Sequence, residues 1–516
     1  MDVPSGFMRL AAACGARRDV SHLPGARGAL AGNYAALAVA LVSQLVLLPL
    51  LLTRLGATGA GFFVLLWSAV NFAGTAIGWL SAGGTVLLTR AAAAGSESML
   101  AALYRRFARG MALYGLVGWV VFGLWSAGVG SLWWKELPAS GASDMRIAVH
   151  GAGAYMLAIN VHQADLALLT ARLEQGRVAF YRAMLQVLIL ALGLLGILSG
   201  GGVAAMFLGY AAAAMITAAA AHLTVRRTAW PRVAADTPRV LDDMPTSLGG
   251  FAWYSIAFSL LQYSDVLILS LFGGPTAVVV LTFLQRLPEA AILLIVRASE
   301  TLGPYYTAMA VAPDRGPLQQ TFLTASRVIW RVAAVSGVGF AVFGRDVVQW
   351  WSRGKVELPP HWYFAGAGIV LAAGIINRNA GLLAYFSGST AGATRLILWE
   401  LGLRVVLVVT LVHRLGPTAP MVAALVAQLL VLLLAYRKLE GTVLQLRPSA
   451  LLERCLWPAL TSAVPATVLM VVLRSQSTAA VSQRGVALLA AAIGVAALLA
   501  VQERALGVQF LRRRRA

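Results

Sequence analysis

The chain has 516 residues, of which 59% are hydrophobic and 12% are charged, and its formal net charge is +21. Because soluble proteins carry about 25% charged residues, this composition excludes an ordinary soluble domain. The charges are also unevenly spread, and residues 30–53 and 110–134 contain none. A helix of about 20 apolar residues crosses a bilayer, and a helix satisfies its own backbone there. The sequence therefore predicts an all-α polytopic membrane protein.

About fourteen transmembrane helices result when the apolar stretches are divided at charged and turn residues. An arginine-rich segment precedes the first span, which we interpret as a membrane anchor and not as a cleaved signal peptide. The first six spans lie near residues 30–53, 62–88, 110–134, 147–171, 183–199 and 203–225. The next six lie near residues 248–271, 276–299, 328–350, 362–386, 396–413 and 416–436. The last two lie near residues 455–473 and 485–501.

The linker 226–247 is the most polar of the predicted inner loops, and it divides the first six spans from the next six. A weak repeat supports two halves, because the run that ends at Gly56 (LTRLG) resembles the run that ends at Gly273 (LSLFG). Six helices in each half would make this repeat parallel. We therefore predict a cytoplasmic N-terminal segment (1–29), an N-lobe (30–225), the linker (226–247), a C-lobe (248–436), two C-terminal helices with their connecting loop (437–501) and a basic cytoplasmic tail (502–516).

Most lysines and arginines fall in loops on the same side as the N-terminus, including Arg331 at the inner end of the ninth span. By the positive-inside rule, this distribution predicts that both termini are cytoplasmic. The basic charge then reflects topology and attraction to anionic membrane lipid. Because the arginines are scattered over many short loops, nucleic-acid binding is not expected.

The sequence contains no HExxH, CxxC, GxSxG or phosphate-binding glycine motif, so neither a catalytic centre nor a metal or other cofactor is predicted. The two cysteines, Cys14 and Cys455, form no disulfide framework and match no metal-site spacing. We therefore expect that the protein is not an enzyme.

Polar residues inside the spans carry most of the functional information, because a charge at mid-bilayer costs about 2.5–3.5 kcal/mol on insertion scales. Arg286, Asp265 and Arg378 are the deepest charges, and we expect them to face a water-filled cavity. Most of these residues lie in the second half, so the cavity would be positively lined and suit an anionic ligand. The candidate substrate-binding residues are Arg286, Arg378, Arg297, Arg404, Asn377, Asn379 and Gln262. The candidate ion-coupling residues are Asp265, Glu289 and Asp165.

Several of these residues have structural alternatives. Glu400 and Arg404 are four residues apart, as in a self-neutralising helical pair. His162 and Asp165, three residues apart in the fourth span, could form a helix–helix hydrogen bond. Arg297 could simply lie at the membrane interface.

Four stretches resemble the bacterial polysaccharide flippases of the multidrug/oligosaccharidyl-lipid/polysaccharide (MOP) exporter superfamily. They are LLPLLLTRLGATGAGFFVLLWSAVNFAGTAIGWLSAGGTVLLTRAAA in the first two spans, YSDVLILSLFGG with Asp265, Pro304 after the eighth span, and FSGSTAGATR followed by HRLGPTAPMVAA. The resemblance implies two six-helix lobes around a central cavity that opens to alternate sides. It also implies an undecaprenyl-diphosphate-linked oligosaccharide as cargo, and it makes the polysaccharide polymerase machinery a candidate partner.

The sequence therefore predicts a flippase for O-antigen or exopolysaccharide precursors in the bacterial inner membrane. Arginines would bind the diphosphate, because their planar fork contacts two phosphate oxygens at once. The alternatives are a cation-coupled multidrug exporter of the same superfamily, a lipid II-type flippase, and a membrane-embedded glycan polymerase or glycosyltransferase. Acidic and aromatic linings would favour drug export, and long outer loops would favour an enzyme.

Overall fold

In the computed structural model, the described residues are 26–93, 97–128, 139–172, 174–230, 247–300, 306, 310, 314–387, 390–439, 443–445 and 452–476. Every regular element within these ranges is helical. The α-helices in chain order are α1 (Ala26–Ala76), α2 (Gly78–Ala93), α3 (Glu97–Ala127), α4 (Ala139–Ala171), α5 (Gln175–Leu198), α6 (Gly202–Thr224), α7 (Ser247–Glu300), α8 (Gly316–Trp351), α9 (His361–Phe386), α10 (Thr390–Leu415), α11 (Ala419–Leu439) and α12 (Trp457–Gln476). Short π-helices occupy Val225–Ala229 and Leu452–Leu456, and a 3₁₀ turn occupies Gly416–Thr418.

The described part of the chain contains nine helical segments that are long and apolar enough to cross a bilayer. Their outward-facing side chains are apolar: on α3, Leu113 and Leu124 are 63% and 68% exposed. Such surfaces suit lipid and not water. The predicted all-α polytopic fold is confirmed, while the fourteenth predicted span, 485–501, lies outside the described residues.

Helix α4 corresponds to the predicted span 147–171 but is not among the nine apolar segments. It carries Asn160, His162 and Asp165, all of which are buried. Helix α4 packs mainly against α3 and α6, so neighbouring helices enclose its polar residues. A helix surrounded by protein can be less apolar than one that faces lipid.

Helices α1 and α7 each continue through a glycine kink that lies between two predicted spans. Helix α7 contains both of its spans, whereas α1 contains the first span and residues 62–76 of the second, and the rest of that span lies in α2. The kink residue is Gly56 in α1 (φ 70°, ψ −178°) and Gly274 in α7 (φ 68°, ψ −174°). Positive φ favours glycine, which lacks a Cβ. The two kinks have nearly the same geometry, which supports the predicted internal repeat. The sequence comparison paired Gly56 with Gly273. This pairing was wrong by one residue, because the kink in α7 falls at Gly274.

The second half of α1 lies very close to α7 just after its kink. A Cβ built on Gly61 would lie 2.1 Å from the carbonyl oxygen of Pro275. Only a residue without a side chain fits this crossing, which is typical of helix contacts in membranes.

The chain divides into two compact units, Met1–Val279 and Val280–Ala516, called unit 1 and unit 2 below. In unit 1, Arg172 just after α4 forms two 2.6 Å bonds with the carboxylate of Glu97 at the start of α3. In unit 2, α8 packs against α9 and α12 around a core that includes Phe322 and Trp330. The lobe boundaries inferred from the sequence stay a prediction.

Candidate functional site

Polar residues of three helices meet inside unit 2. The amide nitrogen of Asn379 on α9 donates to Ser326 Oγ on α8 at 3.0 Å. The amide nitrogen of Asn377 donates to the backbone oxygen of Gln428 on α11 at 3.2 Å. Arg331 on α8 is also buried, with 7% of its surface exposed. We call the hydrogen-bonded residues, together with Arg378 between the two asparagines, the polar seam, and its members are Ser326, Asn377, Arg378, Asn379 and Gln428.

The helical spacing of α9 explains the arrangement of its three polar residues. Successive residues turn by about 100°, so Asn377 and Asn379 point to nearly opposite sides and reach different neighbouring helices. Arg378 lies between these two directions and is half-buried. The predicted tripeptide therefore places a positive charge between two helix contacts.

The polar seam also contains hydrogen-bond acceptors that are still open. Within the described residues, Oδ1 of Asn377, Oδ1 of Asn379 and Oε1 of Gln428 are buried and have no hydrogen-bond partner. Buried polar atoms normally have one. An amide oxygen accepts hydrogen bonds from hydroxyl groups, so each of these atoms can accept one from a hydroxyl-bearing molecule or water; those of Asn377 and Asn379 lie on different sides of α9.

Arg286 and Glu289 on α7 form an ion pair. Arg286 Nη1 lies 3.1 Å from Glu289 Oε2, and the two side chains are 22% and 35% exposed. The pair leaves little net charge at this position. Arg286 can contribute positive charge to a site only when Glu289 is protonated or turned away.

The other predicted residues of unit 2 have different surroundings. Arg404 is half-buried on α10, and Glu400, one turn earlier, is buried. The side chain of Arg297 lies outside the described residues. The structure therefore brings Asn377, Arg378 and Asn379 together with α8 and α11.

Gln262 and Asp265 lie in unit 1, on the first half of α7. Asp265 is buried with 2% of its surface exposed, whereas Gln262 is exposed. These two predicted residues, which are three positions apart on the helix, therefore differ in exposure. Ser259, earlier on the same helix, is buried, and its hydroxyl donates to the backbone carbonyl of Ser255 at 2.8 Å.

Asp165 joins three helices of unit 1. The hydroxyl of Tyr104 on α3 donates to Asp165 Oδ1, and Nδ1 of His222 on α6 lies 3.3 Å from the same oxygen. The sequence paired Asp165 with His162, but both ring nitrogens of His162 are buried without a partner among the described residues. The predicted helix–helix hydrogen bond is present, with Tyr104 and His222 as partners.

Five polar residues of these sites were not selected from the sequence: Tyr104, His222, Ser326, Arg331 and Gln428. Each lies near a span end or alone in an apolar helix, so no local spacing marks it. Arg331 is the exception, because the sequence placed it at the basic inner end of the ninth span, and in the structure it lies well inside α8, which begins at Gly316.

Solved structures share this architecture. The lipid II flippase MurJ in an inward closed conformation superposes with a TM-score of 0.71 at 10% identity, covering 93% of this chain and 99% of MurJ. An inward-facing multidrug resistance MATE family transporter of the MOP superfamily gives a TM-score of 0.63 at 14% identity, covering 82% and 99%. A MOP superfamily transporter from Pyrococcus furiosus superposes with a TM-score of 0.56 at 13% identity, covering 81% of this chain and 96% of that transporter. The reversed polarity of its binding pocket is described as suggesting a different function.

The chain has the MOP transporter fold. No protein-family model and no curated protein matches its sequence, so the likeness concerns the fold. This is the fold that the sequence resemblance implied. Both a lipid II flippase and a multidrug resistance transporter have it, so the fold alone does not distinguish these functions.

Proposed function

We propose that the protein translocates an undecaprenyl-diphosphate-linked oligosaccharide across the bacterial inner membrane by alternating access, for surface polysaccharide biosynthesis. The cargo has two chemical parts, an anionic diphosphate and a hydroxyl-rich glycan. A site for it needs fixed positive charge and hydrogen-bond acceptors within the membrane-spanning helices. MurJ, which shares the fold, is a lipid II flippase by name, so a lipid-linked cargo suits this architecture.

The polar seam is the observation that carries this proposal. Asn377 and Asn379 bond α11 and α8, and the amide oxygens of Asn377, Asn379 and Gln428 are buried without a partner among the described residues. Arg378 lies between the two asparagines along α9. Arginine binds phosphate oxygens through charge-assisted hydrogen bonds, and amide oxygens accept from sugar hydroxyls. Arg286, Arg297, Arg404 and Gln262 remain candidate cargo-binding residues, and Asp265 and Glu289 remain candidates for ion coupling.

The sign of the charge argues against the rival drug exporter. A site for cationic drugs would be expected to hold uncompensated carboxylates and aromatic rings. Within the described part of unit 2, Glu289 is paired with Arg286, and Glu400, a buried carboxylate of α10, is followed one turn later by Arg404. We expect the positive charge of Arg378 to disfavour a cation and to favour a diphosphate.

Deletion of the gene from its host tests the function directly. We expect surface polysaccharide to disappear while lipid-linked oligosaccharide accumulates in the cytoplasmic leaflet, because synthesis continues but translocation stops. The two quantities are measured by surface glycan staining and by extraction of the lipid-linked pool. Unchanged surface glycan together with new sensitivity to cationic drugs would instead identify the drug exporter.

Cysteine labelling tests the proposed orientation, with both termini in the cytoplasm. In a variant that lacks Cys14 and Cys455, a membrane-impermeant maleimide added to intact spheroplasts should label Glu357→Cys and spare Thr228→Cys. Both residues are exposed in the structure, so their accessibility to the reagent differs only in the side of the membrane on which each residue lies. Labelling of both sites after membrane lysis is the control, and labelling of Thr228→Cys before lysis would contradict the topology.

A further inference from the structure

Tyr104, Asp165 and His222, which we call the carboxylate triad, meet at a single oxygen atom. Asp165 Oδ1 accepts the hydrogen bond from Tyr104 and lies 3.3 Å from His222 Nδ1. The three residues come from α3, α4 and α6, so this oxygen links three helices of unit 1. Asp165 itself is 1% exposed.

The second oxygen of the same carboxylate is buried and open. Within the described residues, Asp165 Oδ2 has no hydrogen-bond partner. An ionised carboxylate that keeps one bare oxygen out of water is costly. A proton on Oδ2 removes the charge while Oδ1 keeps its contacts with Tyr104 and His222. The geometry therefore leaves one defined position for a proton.

His222 connects the Asp165 carboxylate to the surface through Oδ1, so a proton that it delivers to Oδ1 takes the Oδ2 position when the carboxyl group turns over. The side chain of His222 is 38% exposed, whereas that of Asp165 is 1% exposed. Imidazole can accept a proton on one nitrogen while it donates from the other. Trp230 covers the site, with its ring edge-on to Tyr104 at 5.7 Å and to His222 at 6.0 Å.

Among the described charged and titratable groups around the triad, none offers a better position for a proton than the triad itself. Arg226 of the π-helix lies 5.8 Å from the ring centre of Trp230, and its charge acts on Tyr104. From α5, Tyr181 packs against His162, and the charge of Arg182 also acts on that histidine. A protonated His162 would be a buried cation close to another cation.

Farther along α3 and α4, Glu97 and Arg172 neutralise each other. From α1, Arg54 is exposed, and the side chain of Arg90 on α2 lies outside the described residues.

We propose that the carboxylate triad is a proton-binding site in unit 1, where Asp165 binds a proton that it exchanges with the aqueous phase through His222. The predicted topology places this end of α3, α4 and α6 at the cytoplasmic face. The inference that Asp165 binds a proton is drawn from the geometry of the triad alone. Its use to drive or gate cargo movement rests on the proposed function.

The residues present suit a proton better than a metal ion. The described residues contain no group of three or more His, Cys, Asp or Glu side chains that could hold a metal. A sodium-like ion would need several oxygen ligands, and here only the Asp165 carboxylate and the Tyr104 hydroxyl converge.

Trp230 provides a reporter that does not depend on transport. In the full-length protein labelled with 5-fluorotryptophan, the Trp230 resonance is assigned by its loss in Trp230→Phe. We expect this resonance to shift with pH, because the charge on the triad changes beside the ring. In Asp165→Asn this transition should disappear, because the variant lacks the carboxylate that binds the proton.

A second variant keeps the transition and raises its midpoint. Tyr104→Phe removes a hydrogen bond to the ionised carboxylate, which makes proton uptake easier, so the midpoint should rise. Asp144→Asn is the matched control, because Asp144 lies at the opposite end of α4 and bonds the first backbone amides of α6. Its midpoint should equal that of the unaltered protein. A Trp230 response that is absent in the unaltered protein, or that persists unchanged in Asp165→Asn, would overturn the site.

Proteoliposomes separate the proton site from its use. With a fluorescent undecaprenyl-diphosphate-linked oligosaccharide, an imposed proton gradient should accelerate translocation by the unaltered protein severalfold and leave Asp165→Asn unaffected. If no cargo moves while Trp230 still reports Asp165, the proposed function fails and the site stands. If cargo moves equally with and without the gradient, coupling through Asp165 is contradicted.

Discussion

Arg378→Ala should abolish surface polysaccharide while the protein remains at its normal level in the membrane. Arg378 is the half-buried charge between Asn377 and Asn379, where a diphosphate would find fixed positive charge beside open amide oxygens. A hydrogen bond to a charged group contributes about 1.5–3 kcal/mol, and about 1.4 kcal/mol corresponds to a factor of ten. We therefore expect a loss of roughly 10- to 100-fold in translocation, scored by complementation of the deletion strain for surface glycan.

Arg378→Lys and Arg395→Ala are the informative companions of this variant. Lysine keeps the charge but lacks the planar fork, so partial activity is expected. Arg395 is an exposed arginine at the start of α10, and its removal should leave surface glycan unchanged. An immunoblot accompanies each assay, because loss of a purely structural arginine would lower protein abundance instead. Full activity in Arg378→Ala would remove the basis of the anionic-cargo proposal and favour drug export.

Gly61→Ala should strongly destabilise unit 1. The new Cβ would lie 2.1 Å from the carbonyl oxygen and 2.7 Å from the Cβ of Pro275. Backbone atoms cannot rotate away as a side chain does, so α1 and α7 must separate. Overpacking of a core costs about 1–3 kcal/mol, and a backbone collision should reach the upper end of this range. We expect a lower apparent unfolding temperature in detergent and a smaller monodisperse fraction after heating.

Gly74→Ala is the matched control for Gly61→Ala. Gly74 lies on the same helix, and a Cβ built there meets no atom within 4 Å. Alanine has the higher helix propensity, so this variant should be as stable as the unaltered protein or slightly more stable. Equal behaviour of the two variants would contradict the close crossing of α1 and α7.

The membrane-spanning helices and their approximate limits could be predicted from local sequence. Long uncharged stretches must be helical in a bilayer, because hydrocarbon offers no partner for backbone groups. The same argument found the break at Gly200–Gly202, where α5 ends at Leu198 and α6 begins at Gly202. It misplaced the repeat by one residue, because two neighbouring glycines, Gly273 and Gly274, look alike in sequence. Only backbone geometry distinguishes the one with positive φ.

The sequence by itself determined that this chain is an all-helical membrane protein with arginines and amides inside its spans, since these properties depend on composition and on residues close together in the chain. Only the tertiary structure decided which polar groups meet. Asp165 bonds Tyr104 and His222 from two other helices and not His162 on its own, and Asn379 bonds Ser326. In an apolar bundle, a buried polar atom must find a partner on whichever helix lies beside it. The way the helices pack decides which helix lies beside that atom, and the sequence of a single helix does not contain this information.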